Sequence, residues 1–335
     1  MMAAAAAAPT ITNDPRFRGG RSLIESGKVE EAVAMFANIL EAATQEYGAS
    51  SIQTSCAYYE YGNALFRAAS RKKEQLQKDK ESSSKLKLEN DLNGDSDDDA
   101  ELALEQMENA FAIVDEYVTA CSTYPNQEIV TNNAVAGQYK SPSNTISKEH
   151  LQWAKKEIPR ILTGIGDLYV SIEKYSYGVD AYTRAIPFRE AQLEESKTNA
   201  NETEKLRQHR LLCEANVLVA ETLLRCNPDE DVVVQHNEND NEDKTLLVSA
   251  TERIDFARGY YDKARSDLQD AVFLMGKIAS DAVGASARTC SIGFGKEKED
   301  ICFLATILMG VGNTLADLDE TAKVEDRDAK KSRKK

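Results

Sequence analysis

Carboxylates are the most abundant groups in this sequence that could bind or react: 56 Asp and Glu residues face 41 Lys and Arg, giving a formal net charge of −15. They are densest between residues 89 and 101, a stretch without basic residues. A flexible acidic run attracts basic segments within about one Debye length, ~8 Å at physiological salt. Because an exposed ion pair is worth only ~0–1 kcal/mol, such a run acts through the number of its charges. The simpler interpretation is an ordinary solvated loop. The run consists of Glu89, Asp91, Asp95, Asp97, Asp98, Asp99 and Glu101.

The other reactive residue types form no pattern that is typical of catalysis. The sequence contains no phosphate-binding Walker loop, no G-x-S-x-G elbow and no H-E-x-x-H motif. Its six cysteines include no C-x-x-C pair, and its three histidines have no metal-ligand spacing. We therefore predict no enzyme, no metal and no cofactor. Cysteines on apolar helical faces indicate a reducing compartment, nucleus or cytosol.

Small and aromatic residues recur at a spacing that is typical of paired helices. Gly20, Gly27, Ala32, Phe36 and Ile39 follow the spacing of a tetratricopeptide (TPR) hairpin. The first glycine lets helix A approach helix B, and the second lies at the turn. Such a hairpin cannot bury its apolar face alone, so it stacks on neighbouring hairpins.

Three further hairpins follow the same register. The first helices of the second, third and fourth hairpins lie near Tyr61, Leu162 and Val219. The corresponding second helices lie near Met107, Tyr182 and Ile254. The second hairpin is interrupted by the acidic stretch, and the fourth has lost its glycines. We therefore predict an all-α TPR superhelix of about four repeats, with an acidic insertion in the second. Four unrelated amphipathic hairpins are the alternative.

Composition shifts predict where the domain begins and ends. We expect a disordered tail at 1–13, a TPR-like domain at 14–280, a divergent helical segment at 281–320 and a basic disordered tail at 321–335. Within the domain, we expect the acidic insertion at about 73–101, a loop at 125–147 and a second acidic loop at 228–244. We also expect helix B of the second hairpin to begin near Ala100, capped by Asp97 to Asp99. Pro159 is expected near a helix start, and Pro187 at a kink or a helix end.

The acidic balance argues against direct nucleic-acid binding, because a phosphate backbone needs a basic face. The acidic balance favours a cationic protein partner. The alternative is that the negative charge only keeps the protein soluble. No apolar run is expected to reach the length of a membrane span, so no membrane contact is predicted.

A groove is predicted where the A helices line the stacked hairpins. Aromatic and aliphatic residues would form its floor and carboxylates its walls, which suits an amphipathic or extended peptide carrying Lys or Arg. Packing of Tyr59 and Phe66 against a neighbouring repeat, and a solvated Asp167, are the simpler alternatives. The repeat register places on this face Tyr59, Asn63, Phe66, Thr163, Asp167, Val170, Glu214, Val217 and Glu221.

Residues 16–265 resemble the SHNi-TPR histone chaperones, the family of the animal nuclear autoantigenic sperm protein and its fungal counterparts. The resemblance lies in AYYEYGNALFRAA (57–69), GIGDLYVSIEKYSYGVDAYTRAI (164–186) and RLLCEANVLVAETLL (210–224), and in the acidic insertion that interrupts the second repeat. The chain departs from the family in a short insertion, in Ala220 where glycine is expected, and after Asp281. The resemblance implies a chaperone that binds histone H3 or H3–H4 without cofactor, for nucleosome assembly.

The sequence is also compatible with two other roles of TPR proteins. One is an adaptor that grips the acidic tail of a heat-shock chaperone through a cationic clamp, to which Arg21, Asn63 and Arg67 could contribute. The other is a motor-linked cargo adaptor. A homodimer is compatible with either role or with the chaperone.

The basic C-terminus predicts import into the nucleus. A second pool of the protein in the cytoplasm is compatible with this prediction. A basic cluster at a chain end suits an acidic import receptor as a further partner, and a solubilising tail is the alternative. The cluster consists of Lys330, Lys331, Arg333, Lys334 and Lys335.

Overall fold

The computed structural model describes residues 10–82, 94–123, 148–198, 201–227, 232–236, 244–248, 250–285 and 295–332. They form two compact units, Met1–Glu173 and Lys174–Lys335. The described part of each unit is built from packed helices, and the second also contains a short β-hairpin. The predicted all-α helical-repeat fold is confirmed.

The first unit consists of helices that pack in chain order. A short 3₁₀ turn, Thr10–Asn13, precedes α1 (Pro15–Glu25), α2 (Val29–Tyr47), α3 (Ile52–Ser82), α4 (Gly94–Thr123) and α5 (Lys148–Ser171). Each helix contacts the next one along the chain, and α3 also contacts α1 and α5. The helices α1, α3 and α5 are the A helices predicted from the repeat register, and α2 and α4 are B helices.

The first hairpin has the predicted close approach. A Cβ added at Gly20 would lie 2.6 Å from the ring of Phe36, so only glycine lets α1 and α2 meet there. Phe17 packs edge-on against the same ring, with centroids 5.6 Å apart. Gly27 has φ of +76° in the turn, a left-handed conformation that glycine adopts without strain. The spacing of small and aromatic residues therefore predicted this hairpin correctly.

Helical structure is present before the predicted domain start at residue 14. Residues 10–13 form the 3₁₀ turn, and Ile11 is only 8% exposed. The Asp14 carboxylate then accepts the backbone N–H of Arg16 and caps α1. The expected tail at 1–13 thus extends too far, because one apolar side chain suffices to bind this turn to α1 and α3.

The acidic insertion is more helical than predicted. Helix α3 continues to Ser82, and α4 begins at Gly94 instead of near Ala100. Asp97 to Asp99 therefore lie inside α4 and do not precede it as caps. Acidic residues near a helix N-terminus and basic residues near a C-terminus both suit the helix dipole. The sequence supplies the first of these, since Asp95 to Asp99 lie in the first turns of α4, whereas the basic stretch from Arg71 to Lys73 lies well before the end of α3 at Ser82.

The second unit contains α6 (Tyr175–Thr198), α7 (Glu202–Arg225), β1 (Val232–His236), β2 (Lys244–Val248), α8 (Ala250–Ala285) and α9 (Gly295–Ser332). Helix α7 packs against α6, α8 and α9, so it forms the centre of this unit. Around it, Cys213 and Val217 of α7 pack with Ala264 of α8 and with Leu304 and Leu308 of α9.

The second acidic loop contains a β-hairpin, which corrects the prediction of a loop. Strands β1 and β2 are antiparallel, with Val232 opposite Val248 and His236 opposite Lys244. Val232 is buried, and β1 contacts α6. The prediction was wrong because it followed the acidic composition and overlooked three consecutive valines, which favour strands. Helix α8 begins at Ala250, after β2.

Helix α9 corrects two expectations about the C-terminus. It continues to Ser332, so the basic tail predicted at 321–335 is helical over most of its length. Its segment Ile301–Glu320 is long and apolar enough to cross a membrane by length and composition, contrary to the sequence prediction. Helices in the core of soluble proteins meet the same criterion, so it does not by itself indicate a membrane.

Two prolines lie inside helices. Pro159 is in the middle of α5, whereas we predicted a helix start. Pro187 is in the middle of α6, so it does not end that helix, and the predicted kink stays a prediction. An interior proline costs about 3 kcal/mol because it removes a backbone hydrogen bond. Burial of the neighbouring Ile158 and Ile161 on α5, and of Ile186 on α6, offsets that cost.

Candidate functional site

One buried carboxylate joins the three A helices of the first unit. Glu60 of α3 has a side chain that is 3% exposed, and its Oε1 accepts hydrogen bonds from Arg21 of α1 and Arg160 of α5. The Arg21 nitrogens lie 2.7 and 3.0 Å away and the Arg160 nitrogen 3.2 Å away. The two guanidinium groups compensate a charge that burial alone would make costly. We call the surface formed by α1, α3 and α5 the A-helix face.

Arg160 also covers an aromatic ring on this face. Its guanidinium carbon lies 4.0 Å from the centroid of Tyr59, and its Nη2 is 2.6 Å from Glu157. Burial lowers the pKa of Arg160, but attraction by Tyr59, Glu157 and Glu60 more than reverses this and raises it above the usual range. Burial is also the main cause that raises the pKa of Tyr59. The arginine thus stays charged and the phenol neutral at any physiological pH.

The predicted groove residues of the first unit lie on α3 and α5, but Tyr59 differs from expectation. It is 7% exposed, so it packs inside the unit and leaves little of its ring for a partner. Phe66 and Asn63 are half-buried, and Asn63 accepts a hydrogen bond from Arg67.

On α5, the other three predicted groove residues of this unit are half-buried. The Thr163 hydroxyl donates to the Pro159 carbonyl at 2.7 Å, so it is already engaged within its own helix. Asp167 and Val170 complete the set, and Asp167 has an interaction partner of its own.

The A helices of this unit carry charges of both signs, and the acidic walls of the groove stay a prediction. Arg21, Arg67 and Arg160 lie on these helices together with Glu60, Glu157 and Asp167. The sequence analysis missed the Glu60 network. The signal was present, because Glu60 is the sole charged residue between positions 51 and 66, in a stretch that is otherwise apolar or neutral.

In the second unit, the predicted groove residues lie on α7. Val217 is 2% exposed and packs against α8 and α9, so it is a core residue and does not line an open groove. Glu214 and Glu221 are half-buried and pair with Arg210 at 3.6 Å and with Arg225 at 2.5 Å. Both pairs span four residues of one helix. These carboxylates are thus partly neutralised by their own helix.

The described side chains of the acidic run lie in the first turns of α4. Asp98 and Glu101 are exposed, and Asp99 is half-buried and pairs with Lys72 of α3. Asp95 and Asp97 belong to the same helix. Glu89 and Asp91 lie outside the described residues.

The basic stretch of α3 contacts three different elements. Arg71 donates to the carbonyl of Gly27, in the turn between α1 and α2. Lys72 pairs with Asp99 in α4, and the Lys73 amine lies 3.1 Å from the carbonyl of Ser171 at the end of α5. Three consecutive cations thus fix α3 to the ends of its neighbours, a role that the sequence analysis did not predict.

The predicted import cluster is only partly described. Lys330 and Lys331 lie in the last turn of α9, and Arg333, Lys334 and Lys335 fall outside the described residues. Among the residues that the structure describes, no group of three or more His, Cys, Asp or Glu side chains could hold a metal ion.

No family model matches the chain, and no protein of curated function was found to match it. One solved structure with some similarity is that of Nro1, described as a hypoxic regulator of sterol synthesis and a nuclear import adaptor. It is 12% identical over 89% of this chain and 87% of that chain, with a TM-score of 0.28. A TM-score of this size carries no argument about either protein, so the fold rests on the helices described above.

Proposed function

We propose that this protein is a histone chaperone that binds H3 or H3–H4 stoichiometrically, without catalysis or cofactor, and delivers them for nucleosome assembly. Its site of action would be the nucleus, reached through an import receptor that recognises the basic C-terminus.

The exposed carboxylates of Asp98 and Glu101, in the first turns of α4, are the observation that carries the proposal. It lies on the second helical hairpin, which is longer than the first because α3 and α4 both extend into the insertion. An interrupted and acidic second repeat is also what the resemblance to SHNi-TPR chaperones implies. Carboxylates at a helix start that face solvent are accessible to the Lys and Arg side chains of a histone.

Electrostatics would set the encounter more than the final affinity. Exposed carboxylates steer a basic partner and raise its association rate, while each contact adds ~0–1 kcal/mol. Apolar contacts would supply the remaining affinity, and Phe66 is one of the half-buried aromatic residues on α3.

The heat-shock adaptor is the weaker alternative. A cationic clamp needs arginines that are free to bind a partner carboxylate in two-pronged geometry. Arg21 and Arg160 occupy the A-helix face, but both already donate to Glu60. An acidic peptide would therefore have to compete with a carboxylate that is built into the fold.

Calorimetry on the full chain tests the proposal. We expect recombinant H3–H4 to bind more tightly than an acidic chaperone-tail peptide, and affinity to fall with salt without vanishing. The double variant Asp98→Asn/Glu101→Gln should lower H3–H4 affinity by up to about thirtyfold, given ~0–1 kcal/mol for each of the two charges.

The double variant Asp262→Asn/Asp270→Asn is the matched control. Asp262 and Asp270 are exposed carboxylates on α8, so their removal changes net charge by the same amount without touching the acidic run. Equal losses in the control and in Asp98→Asn/Glu101→Gln would show that only net charge matters. Absence of H3–H4 binding together with uptake of the acidic peptide would replace the chaperone by the adaptor.

A further inference from the structure

The basic stretch of α3 lies beside the acidic run of α4. The two helices are antiparallel, since Gly62 approaches Ala103 while Lys72 reaches Asp99. The Lys72 amine is 2.5 Å from Asp99 Oδ2. The basic end of α3 and the acidic start of α4 thus meet inside one hairpin, although a basic partner would need the same carboxylates.

Only the middle cation of the stretch is directed at the acidic run. Arg71 is bound to the carbonyl of Gly27, and Lys73 to the carbonyl of Ser171. Each of these two lies against the end of a neighbouring helix or turn, where a cation suits the helix dipole. Lys72 is therefore the residue whose removal would uncover Asp99 while leaving its two neighbours attached.

We infer that Lys72 acts as an internal competitor, so that a basic partner binds the acidic run by replacing the Lys72 amine at Asp99. This inference rests on the proposed function and concerns how that same site is regulated. In the exchange, one ion pair within the protein breaks, one ion pair with the partner forms, and the Lys72 amine is released to water. No net ion pair is gained at Asp99 itself.

Such an exchange makes the site selective for strongly basic partners. A ligand with one or two cations gains little, because its first contact only replaces an existing one. A partner with many Lys and Arg residues also reaches Asp98 and Glu101, which are exposed. The pair is accessible for the exchange, because the Lys72 and Asp99 side chains are 46% and 29% exposed.

Removal of Lys72 should therefore increase affinity for basic ligands. An exposed ion pair limits the gain to about fivefold. We would measure binding of recombinant H3–H4 and of a decalysine peptide to the full-length protein, wild type and Lys72→Gln, by fluorescence anisotropy at low salt. We expect a two- to fivefold gain that disappears at about 0.5 M salt, where screening is nearly complete.

Lys78→Gln is the matched control, because Lys78 is an exposed lysine on the same helix. A general effect of net charge would raise affinity equally in both variants. The background Asp99→Asn gives a second check, since Lys72→Gln should gain nothing once the carboxylate that it covers has been removed.

The outcomes separate the inference from the proposed function. If the wild type binds neither ligand at low salt, the proposed function is wrong. If the wild type binds but Lys72→Gln equals Lys78→Gln, or if the gain persists in Asp99→Asn, the competitor role of Lys72 is wrong. A second variant, Lys72→Ala, and circular dichroism of each protein show whether a change in affinity comes from local unfolding.

Discussion

Replacement of Glu60 by glutamine tests the network that joins α1, α3 and α5. Its Oε1 accepts three hydrogen bonds from two guanidinium groups, at 2.7, 3.0 and 3.2 Å. A hydrogen bond to a charged group contributes ~1.5–3 kcal/mol, and breaking a buried ion pair costs ~3–5 kcal/mol. Glutamine keeps one acceptor, and Arg21 and Arg160 are 46% and 37% exposed and can regain water. We therefore expect Glu60→Gln to lower the free energy of unfolding by ~2 kcal/mol.

The assay is thermal and urea unfolding of the full chain, followed by circular dichroism. For a unit of this size, ~2 kcal/mol corresponds to a drop in Tm of about 4–8 °C. The urea midpoint should fall while the m-value stays constant, because the surface exposed on unfolding does not change.

Glu74→Gln serves as the control, since Glu74 is an exposed carboxylate on the same helix. Its effect should stay within about 0.5 kcal/mol. The double variant Arg21→Gln/Glu60→Gln should cost less than the sum of its single variants, because both remove the same contacts. A loss in Glu60→Gln no larger than that of Glu74→Gln would refute the network as a source of stability.

Three further predictions concern packing, thiol chemistry and import. Gly20→Ala should lower the free energy of unfolding by ~1–3 kcal/mol through overpacking against the aromatic ring of α2, whereas Gly19→Ala, whose added Cβ would meet only ordinary contacts at 3.5 Å, should be nearly neutral in urea unfolding. Burial, with nearby carboxylates, raises the pKa of Cys213 to about 12. Mass-spectrometric mapping after brief maleimide treatment at pH 7 should therefore find Cys302, the exposed thiol among the described cysteines, modified well before Cys213; equal labelling would contradict the burial. Alanine at the basic residues of 330–335 should slow initial nuclear import of the tagged protein, and unchanged import rates would remove the cluster from the argument for a nuclear location.

Part of the fold could be predicted from the sequence because packing within a helical hairpin requires small and large residues at regular, short spacings along the chain. Gly20 and Phe36 had to be complementary for α1 and α2 to meet, and that requirement fixed residue types at a constant spacing. The same spacing of residue types located the first helices of the second, third and fourth repeats. Prediction failed where the sequence signal is not periodic. The three valines of β1 favour a strand, but their acidic neighbours in sequence led to the prediction of a loop.

The acidic insertion shows what charge composition alone leaves undecided. Asp, Asn and Gly between residues 89 and 99 favour a loop by their intrinsic preferences. The structure instead begins α4 at Gly94, inside this region, with acidic residues in its first turns and with Lys72 of α3 paired to Asp99. Each helix was predictable from its neighbours in sequence, but their mutual stabilisation depends on the antiparallel contact.

The sequence by itself determined that this chain forms helical hairpins, that the second is interrupted, and that the surface is acidic overall. Only the tertiary structure decided that Tyr59 and Val217 are buried, and that Glu60 bonds Arg21 and Arg160 across 39 and 100 residues of chain. The physical reason is that helical periodicity is a property of residues a few positions apart. Burial of a groove residue and the partner of a buried charge depend on which distant helices meet.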